Sequence, residues 1–468
     1  MFKITLINPP QSGQYSQPPM GLAMIAAVLE RRGYNVAVVD ANALKLKPEN
    51  IASYVSGADV VGLTAMTPTI NTAITIAHHL KKADPDLTII LGGAHATLLP
   101  DETLNSAPEI DVIVRGEGEQ TIIELLQALE DKQPLSKIPG ISYRKDGVVV
   151  SNAVRATEVD LDSLPFLGYH LLPWQRYKPH PPHGRALPFA AIITSRGCPY
   201  HCSYCSKPIF GSKFRGQSPE RVVEEIAYYK DKFGMKEIAF YDDVFTLNGK
   251  RAYSITEELI KKGLKIKWTC ETRVNLVDKD LLTHMKQAGC YAIAYGIESA
   301  SPEILGTIDK DITTDEVEKA IRITQEVGIQ TIGYFMIGCP GENHDTIVKT
   351  IEFAKKLKLD FAQFAVTTPF PGTELYNLYL KDKGDGIPWE NFAYGGAGDN
   401  TIPVFESDKL SRADLQNWTG RAYREFYLRP SYLWQRIQKI NSIGDLRINI
   451  KGFFMLLGNL KLPRKEGA

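Results

Sequence analysis

The 468-residue sequence contains no run of about 18 or more apolar residues, so nothing in it reads as a membrane-spanning helix. Neither sign of charge dominates. Lys and Arg total 54 and Asp and Glu total 54, which is not the balance of a basic nucleic-acid binder. Cysteine is scarce: six in so long a chain do not make a disulfide framework, and none precedes Cys198. No basic-then-apolar leader with a small-residue cleavage site opens the sequence, so the cytoplasm, with reduced thiols, is the expected location. The composition itself is ordinary. Apolar residues make up 44% and charged residues 23%, which excludes disorder as the main state. At roughly 100–200 residues per domain, two or three domains are expected.

Short β-rich runs alternate with helical patterns, the signature of α/β architecture with mainly parallel strands. The first unit spans about residues 1–135. Strands are expected at Lys3–Ile7, Asn35–Val39, Asp59–Leu63, Thr88–Leu91 and Asp111–Val114, with helices near Gly21–Arg32, Asn71–Lys82 and Glu119–Glu130. That alternation predicts a doubly wound, Rossmann-like sheet, whose ligands bind beyond the carboxyl ends of the strands. A hairpin around Lys145-Asp146-Gly147 and a Pro-rich linker fill 136–187. The second unit, 188–385, repeats strand and helix six times at about 30-residue spacing, with strands at 190–195, 237–241, 267–272, 292–297, 331–337 and 361–366. Six such units predict a partial (β/α)6 barrel of TIM type, reactive at the carboxyl ends of its strands. The remainder, 386–468, reads as a mostly helical tail, rich in aromatics. Its last 40 residues hold eight Lys and Arg against two acidic residues.

At the end of the first barrel strand the chain reads Arg196-Gly-Cys-Pro-Tyr-His-Cys-Ser-Tyr-Cys-Ser-Lys207. Cys198, Cys202 and Cys205 fall in a C-x3-C-x2-C spacing. Three thiolates so close in sequence can wrap one soft metal centre. Iron–sulfur cubes are normally held by four cysteines, so a local set of three leaves one iron open for a small molecule. An open coordination position is what separates a reactive metal site from a structural one. Two other readings of the residues are a Cys3His zinc site and three bare thiols. The zinc site is poorly spaced, because His201 directly precedes Cys202.

This motif after the first strand of a six-unit βα barrel resembles the radical S-adenosylmethionine (SAM) superfamily, over essentially all of 188–385. The resemblance implies a [4Fe–4S] cluster on Cys198, Cys202 and Cys205, SAM on the open iron, and a 5′-deoxyadenosyl radical that takes hydrogen from substrate. It implies SAM contacts from Tyr204 and from the strand ends. Asp242 and Asp243 end strand two, where the family often carries Gly-Gly-Glu to meet the SAM amino group. Arg273 ends strand three and would pair with the SAM carboxylate. Glu298 ends strand four and would accept the ribose hydroxyls. Gly338 ends strand five and would let adenine approach the backbone. Cys339, beside it, is a candidate for a direct role. Cys270 and Cys290, in apolar contexts, are expected in the core.

The first unit resembles the cobalamin-binding domain that precedes the barrel in one radical SAM subfamily. The matching stretches are Pro18-Pro-Met-Gly-Leu22, Val60-Val-Gly-Leu-Thr-Ala65, Leu91-Gly-Gly-Ala-His-Ala-Thr97 and Arg115-Gly-Glu-Gly-Glu119. The resemblance implies cobalamin contacts from Thr64, Gly92, Gly93, His95 and Glu117. Domains that ligate cobalt from below carry Asp-x-His-x-x-Gly after strand one. Here Asn8-Pro-Pro-Gln-Ser-Gly13 has no histidine, so cobalamin is expected without a histidine lower ligand. No G-x-G-x-x-G follows strand one, which argues against a nicotinamide site.

Together these features predict a cobalamin-dependent radical SAM enzyme, with C-methyl transfer as the leading reaction. Ring closure or rearrangement on a lipid or tetrapyrrole is the alternative. The subfamily includes the anaerobic magnesium-protoporphyrin ester cyclase and modifiers of hopanoid lipids. The partners implied are a small-molecule or lipid-like substrate and an external one-electron reductant of ferredoxin or flavodoxin type, with no nucleic acid. A tRNA methylthiotransferase would want three further cysteines in the first unit, which has none. A non-catalytic iron–sulfur or corrinoid protein is the reading of another class. The basic, aromatic tail fits either a helical lid on the barrel or peripheral contact with the inner face of a membrane.

Overall fold

The computed structural model describes residues 1–11, 16–156, 159–179, 184, 186–383, 388–389, 392, 406 and 409–438. Strand β1 (Lys3–Asn8), β2 (Asn35–Asp40), β3 (Val60–Thr64), β4 (Thr88–Gly92) and β5 (Val112–Val114) form a parallel sheet in the order β2-β1-β3-β4-β5. Alternation along each strand feeds two cores. Leu6, Ile90 and Val114 meet the helices 20–31 and 118–130, whereas Ile7, Ile89 and Leu91 meet the helix 70–83. The hairpin strands β6 (Ile141–Lys145) and β7 (Val148–Ser151) do not stand apart. They extend this sheet antiparallel beyond β5, to seven strands.

Strand β8 (Phe189–Ile192) opens the second sheet. A short antiparallel pair follows it, β9 (Ser195–Arg196) with β10 (Arg215–Gly216). Then come β11 (Glu237–Phe240), β12 (Lys267–Thr272), β13 (Cys290–Glu298), β14 (Gln330–Ile337) and β15 (Phe361–Val366). The order β15-β14-β13-β12-β11-β8 is parallel throughout, a barrel left open between β8 and β15. Trp268 and Cys270 of β12, Phe335 of β14 and Phe364 of β15 pack outward on the helices. Their alternates, such as Glu271, Tyr334 and Gln363, therefore face the lumen.

An open barrel has two edges with unpaired backbone groups, which need partners when buried. Phenols close both edges, with Tyr423 also accepting from the Phe364 amide on the β15 side at 3.2 Å. Tyr169, from the linker, donates to the Ala191 carbonyl at 2.8 Å and accepts from the Ala191 amide at 2.7 Å. Tyr427, on the helix 412–427, makes the same pair with Ala362 at 2.8 and 3.0 Å. The described part of the tail thus packs on the barrel as a lid. The apolar run Phe453–Leu457 and the basic residues from 439 onward lie outside the described residues. Among the described residues, no helix is long and apolar enough to cross a membrane.

Candidate active site

The cysteine loop leaves the barrel through a stapled neck. Asp242, whose side chain is fully buried, accepts from the Thr194 amide at 2.6 Å and from both the Thr194 and Ser195 hydroxyls at 2.7 Å. Arg251 ties the Gln217 and Thr194 carbonyls at 2.7 and 2.8 Å. Gly197 turns the chain with φ +87°, and a Cβ there would lie 2.2 Å from the Lys213 carbonyl oxygen. Only glycine fits that position. Beyond it Cys198 and Cys202 are half-buried and Cys205 is exposed, all as free thiols.

Asp242 therefore fixes the neck with acceptors already engaged, while Asp243 is the freer of the two carboxylates. Burial and the Asp242 charge raise its hold on a proton, and the Gly197 amide and Lys207 oppose them. Arg273 stacks 3.7 Å over the Tyr200 ring and brings Nη1 to 3.7 Å from the Cys202 sulfur. Its Nη2 is held by the Lys310 and Asp311 carbonyls at 2.5 and 3.1 Å. Glu298 ends β13 with φ +66°, a conformation that costs a side-chain-bearing residue about 1–3 kcal/mol and is concentrated at functional sites. Its Oε1 accepts from Tyr204 at 2.9 Å and from Lys310 at 2.8 Å, and Lys310 also reaches the Tyr204 hydroxyl at 3.0 Å. Gly296 makes room for this triad, because a Cβ there would lie 2.7 Å from both Glu298 Oε1 and Lys310 Nζ.

At the end of β14, Gly338 has φ +90° and its open face is covered by Leu415 of the helix 412–427. Cys339 is buried beside Ile304 and Ile308, 3.4 Å from the Thr367 hydroxyl, and burial raises its thiol well above the ordinary range. Glu342 accepts from the Gly338 and Cys339 amides at 2.5 and 3.1 Å. Burial pushes its carboxyl up to about 7, against those two hydrogen bonds.

In the first unit, Thr64, Gly92, Gly93 and Glu117 line one cavity of about 270 Å³, which lies between the sheet, its helices and the barrel. Gly93 has φ +98°, and a Cβ there would strike the Ala65 carbonyl at 2.5 Å. Gly62, on the cavity wall, leaves space that a Cβ would take from Leu6. His95 does not line the cavity. It is buried, 3.2 Å from the Thr67 hydroxyl and edge-on to Trp389 at 4.8 Å, and burial holds its pKa down to about 4. Glu117 is bound to the barrel: it accepts from Arg196 at 2.6 Å and from Arg215, while Glu119 accepts from Arg196 at 2.6 Å. Arg196 sits two residues before Cys198 and also lines the cavity.

Three residues here escaped the sequence reading. Lys310 lies between two helices with no motif around it. Arg196 was part of the quoted motif but carried no role. In the lumen, Glu271 accepts from Tyr334 at 3.1 Å, and burial raises its proton affinity. Its only sequence signal was a charged residue at a lumen-facing register position.

Soft donors on a short loop, with a guanidinium beside one sulfur, fit a thiolate-held iron–sulfur cluster. Among the described residues, no three or more His, Cys, Asp or Glu side chains are gathered closely enough to hold a bare metal ion. A flat cofactor's appended nucleotide fits the glycine-walled cavity, whose floor is apolar and whose side chains leave room.

The Radical SAM superfamily profile matches residues 192–354 and the B12 binding domain profile matches residues 12–126. An uncharacterized methyltransferase of Pyrococcus horikoshii is 37% identical over 449 residues, covering 92% of this chain and 94% of the relative. The anaerobic magnesium-protoporphyrin IX monomethyl ester cyclase of Rubrivivax gelatinosus is 31% identical, over 89% of this chain and 75% of the relative. The fold matches the radical SAM methyltransferase TsrM of Kitasatospora setae, solved with cobalamin and a [4Fe–4S] cluster. The TM-score is 0.69 at 18% identity, covering 88% of this chain and 81% of that one. It also matches the cobalamin-dependent radical enzyme OxsB, with a TM-score of 0.73 at 16% identity, covering 98% and 72%. The chain belongs to the radical SAM superfamily, in the group that carries an N-terminal B12-binding domain.

Proposed function

We propose that this radical SAM protein is a cobalamin-dependent enzyme that transfers a methyl group to an unactivated carbon of a small or lipid-like substrate. One observation carries the reading. Arg196 touches both halves of the chemistry, opening the cysteine loop and walling the cavity of the B12-binding unit. When bound, the cluster and SAM supply a 5′-deoxyadenosyl radical and cobalamin supplies the methyl group.

In this reading the chain's own residues bind, orient and exclude water. Cys198, Cys202 and Cys205 hold the cluster, and Arg273 steadies the Cys202 thiolate by its charge. Asp243 meets the SAM amino group, with Asp242 fixing the neck behind it. The Tyr204–Glu298–Lys310 triad offers an oriented carboxylate to the ribose hydroxyls. Gly338 and the Glu342-bound turn shape the adenine side, and Cys339 packs beneath it. Thr64, Gly92 and Gly93 flank the cobalamin nucleotide, and Glu117 positions that wall through Arg196. His95 is neutral and enclosed, so it supports the loop and does not ligate cobalt. An external ferredoxin or flavodoxin-type protein delivers the electron. The exposed Leu433, Trp434 and Ile437 meet a membrane surface if the substrate is a lipid.

Cyclisation is the second reading, favoured by the cyclase named above. Anaerobic reconstitution with iron, sulfide and corrinoid tests all of these readings. Methyl transfer requires about four irons per chain, SAM cleavage under reductant and bound corrinoid. Iron and cleavage without corrinoid leave a radical SAM enzyme of another reaction. Iron without cleavage leaves the non-catalytic reading.

A further inference from the structure

The cysteine loop and the cavity of the B12-binding unit share a wall. The loop leaves β9 at Gly197 and Cys198 and returns through residues 209–213 to β10. Ile209 and Phe210, on the returning limb, line the cavity beside Arg196. Most of the remaining lining comes from the first unit, including Ile25, Gly62 and Ile122. A ligand that fills the cavity therefore touches the loop as well as the domain that receives it.

The returning limb in turn holds the first cysteine. The Cys198 amide donates to the Gly211 carbonyl at 3.3 Å. Gly197 lies so close to the limb that a Cβ would stand 2.2 Å from the Lys213 carbonyl oxygen and 3.2 Å from that of Phe210. The base of the loop is firmly closed. Arg196 and Arg215 pair across it, and both donate to Glu117 of the first unit. Phe210 is held more loosely. It is half-buried, belongs to a turn, and has the Arg196 guanidinium 5.0 Å from its ring centre. Such a ring gains order from whatever fills the cavity. Gly211 is its chain neighbour, so that order passes directly to the carbonyl that meets Cys198.

Resting on the cobalamin reading above, we propose that Phe210 is a positioning residue that links the two cofactor sites. A corrinoid nucleotide in the cavity fixes the Phe210 ring, Gly211 follows, and Cys198 is set for the cluster. The link is reciprocal, because a coupling free energy between two binding sites acts equally in both directions. A cluster on Cys198 orders the returning limb in advance, so the corrinoid meets a wall that it no longer has to order. Each cofactor tightens the other, although Phe210 has no donor atom for either metal.

Equilibrium dialysis of the full chain against methylcobalamin in the dark, before and after anaerobic cluster reconstitution, reads the link as a ratio of two affinities. The wild-type protein is expected to bind about fivefold tighter or more with the cluster in place, the low end of coupling between sites. Phe210→Ala is expected to bring that ratio to about twofold or less, and Phe210→Leu, which keeps apolar bulk on the wall, to retain most of it. A residue that merely stabilised the loop would weaken binding in both states and leave the ratio alone. An undiminished ratio in Phe210→Ala therefore overturns the proposal. So does equal affinity of the wild-type protein with and without the cluster. Should methylcobalamin bind in neither state, the cobalamin reading itself fails, and the link with it. If Phe210→Ala does not fold, hydrogen exchange on the wild-type chain decides: methylcobalamin must slow exchange of the Cys198 amide, and an unchanged rate overturns the link.

Discussion

The two halves of the molecule prepare their sites in opposite ways. The barrel fills its strand ends with polar atoms that are already wired together: Asp242 to the Thr194 turn, Tyr204 and Lys310 to Glu298, Arg273 to two carbonyls. It holds Glu298 in a strained backbone to do so. The B12-binding unit instead clears space. Gly62, Gly92 and Gly93 keep side chains out of a largely apolar cavity, and the Glu117 and Glu119 carboxylates on its wall are committed to Arg196 of the barrel. Orienting a small charged cofactor needs preorganised dipoles; receiving a large flat one needs room.

The largest effect expected from breaking this contrast comes from the cysteines. Cys198→Ala, Cys202→Ala or Cys205→Ala should each abolish cluster content and SAM cleavage, measured as iron per chain and 5′-deoxyadenosine formed, while corrinoid binding survives. Loss of both together would mean the halves are not separable. Arg196→Met attacks the seam. It strands the buried Glu119 carboxylate and takes one of two partners from Glu117, which keeps Arg215; removing one partner of a buried pair costs about 3–5 kcal/mol. Urea denaturation should show that loss, and corrinoid affinity should fall with it.

A pH series separates the halves by sign. His95 is held at about 4, below its ordinary 6.5, so its contribution to stability is full above pH 6.5 and lost as pH falls towards 4. Glu342 is held at about 7, above its ordinary 4.5, so its contribution is full below pH 4.5 and lost as pH rises through 7. Each shift corresponds to at most about 3 kcal/mol. His95→Gln should flatten the acid side of the stability profile and Glu342→Gln the neutral side; the reverse pattern would contradict both assignments. The smallest effect belongs to the barrel edges. Tyr169→Phe and Tyr427→Phe each leave an edge amide and carbonyl without a partner, at about 1–3 kcal/mol. Cooperative unfolding should show similar losses for the two, because each removes the same amide and carbonyl pair, while the Tyr423 contact to Phe364 stays in place.

The fold was legible because buried parallel strands are short apolar runs, and the six barrel strands fall within a few residues of their expected places. The hairpin was legible as a hairpin but not as part of the first sheet, since pairing of β6 with β5 is a long-range contact with no local signal. The cysteine loop announces itself through linear spacing. The partners Lys310 and Arg196 do not, because an isolated basic residue reads as solvated surface until the fold buries it against Glu298 or Glu117. Asp242 and Asp243 looked equivalent in sequence. Only the turn at Thr194 reveals that Asp242 is held by one amide and two hydroxyls, whereas Asp243 meets the Gly197 amide alone.

The proposed chemistry needs an iron with an unfilled position. Electron paramagnetic resonance of the reduced, reconstituted protein, recorded with and without SAM, addresses that position directly. A [4Fe–4S]+ signal whose g-values shift when SAM is added is the predicted result. A signal that SAM leaves unchanged, with all four irons held by the protein, would contradict it.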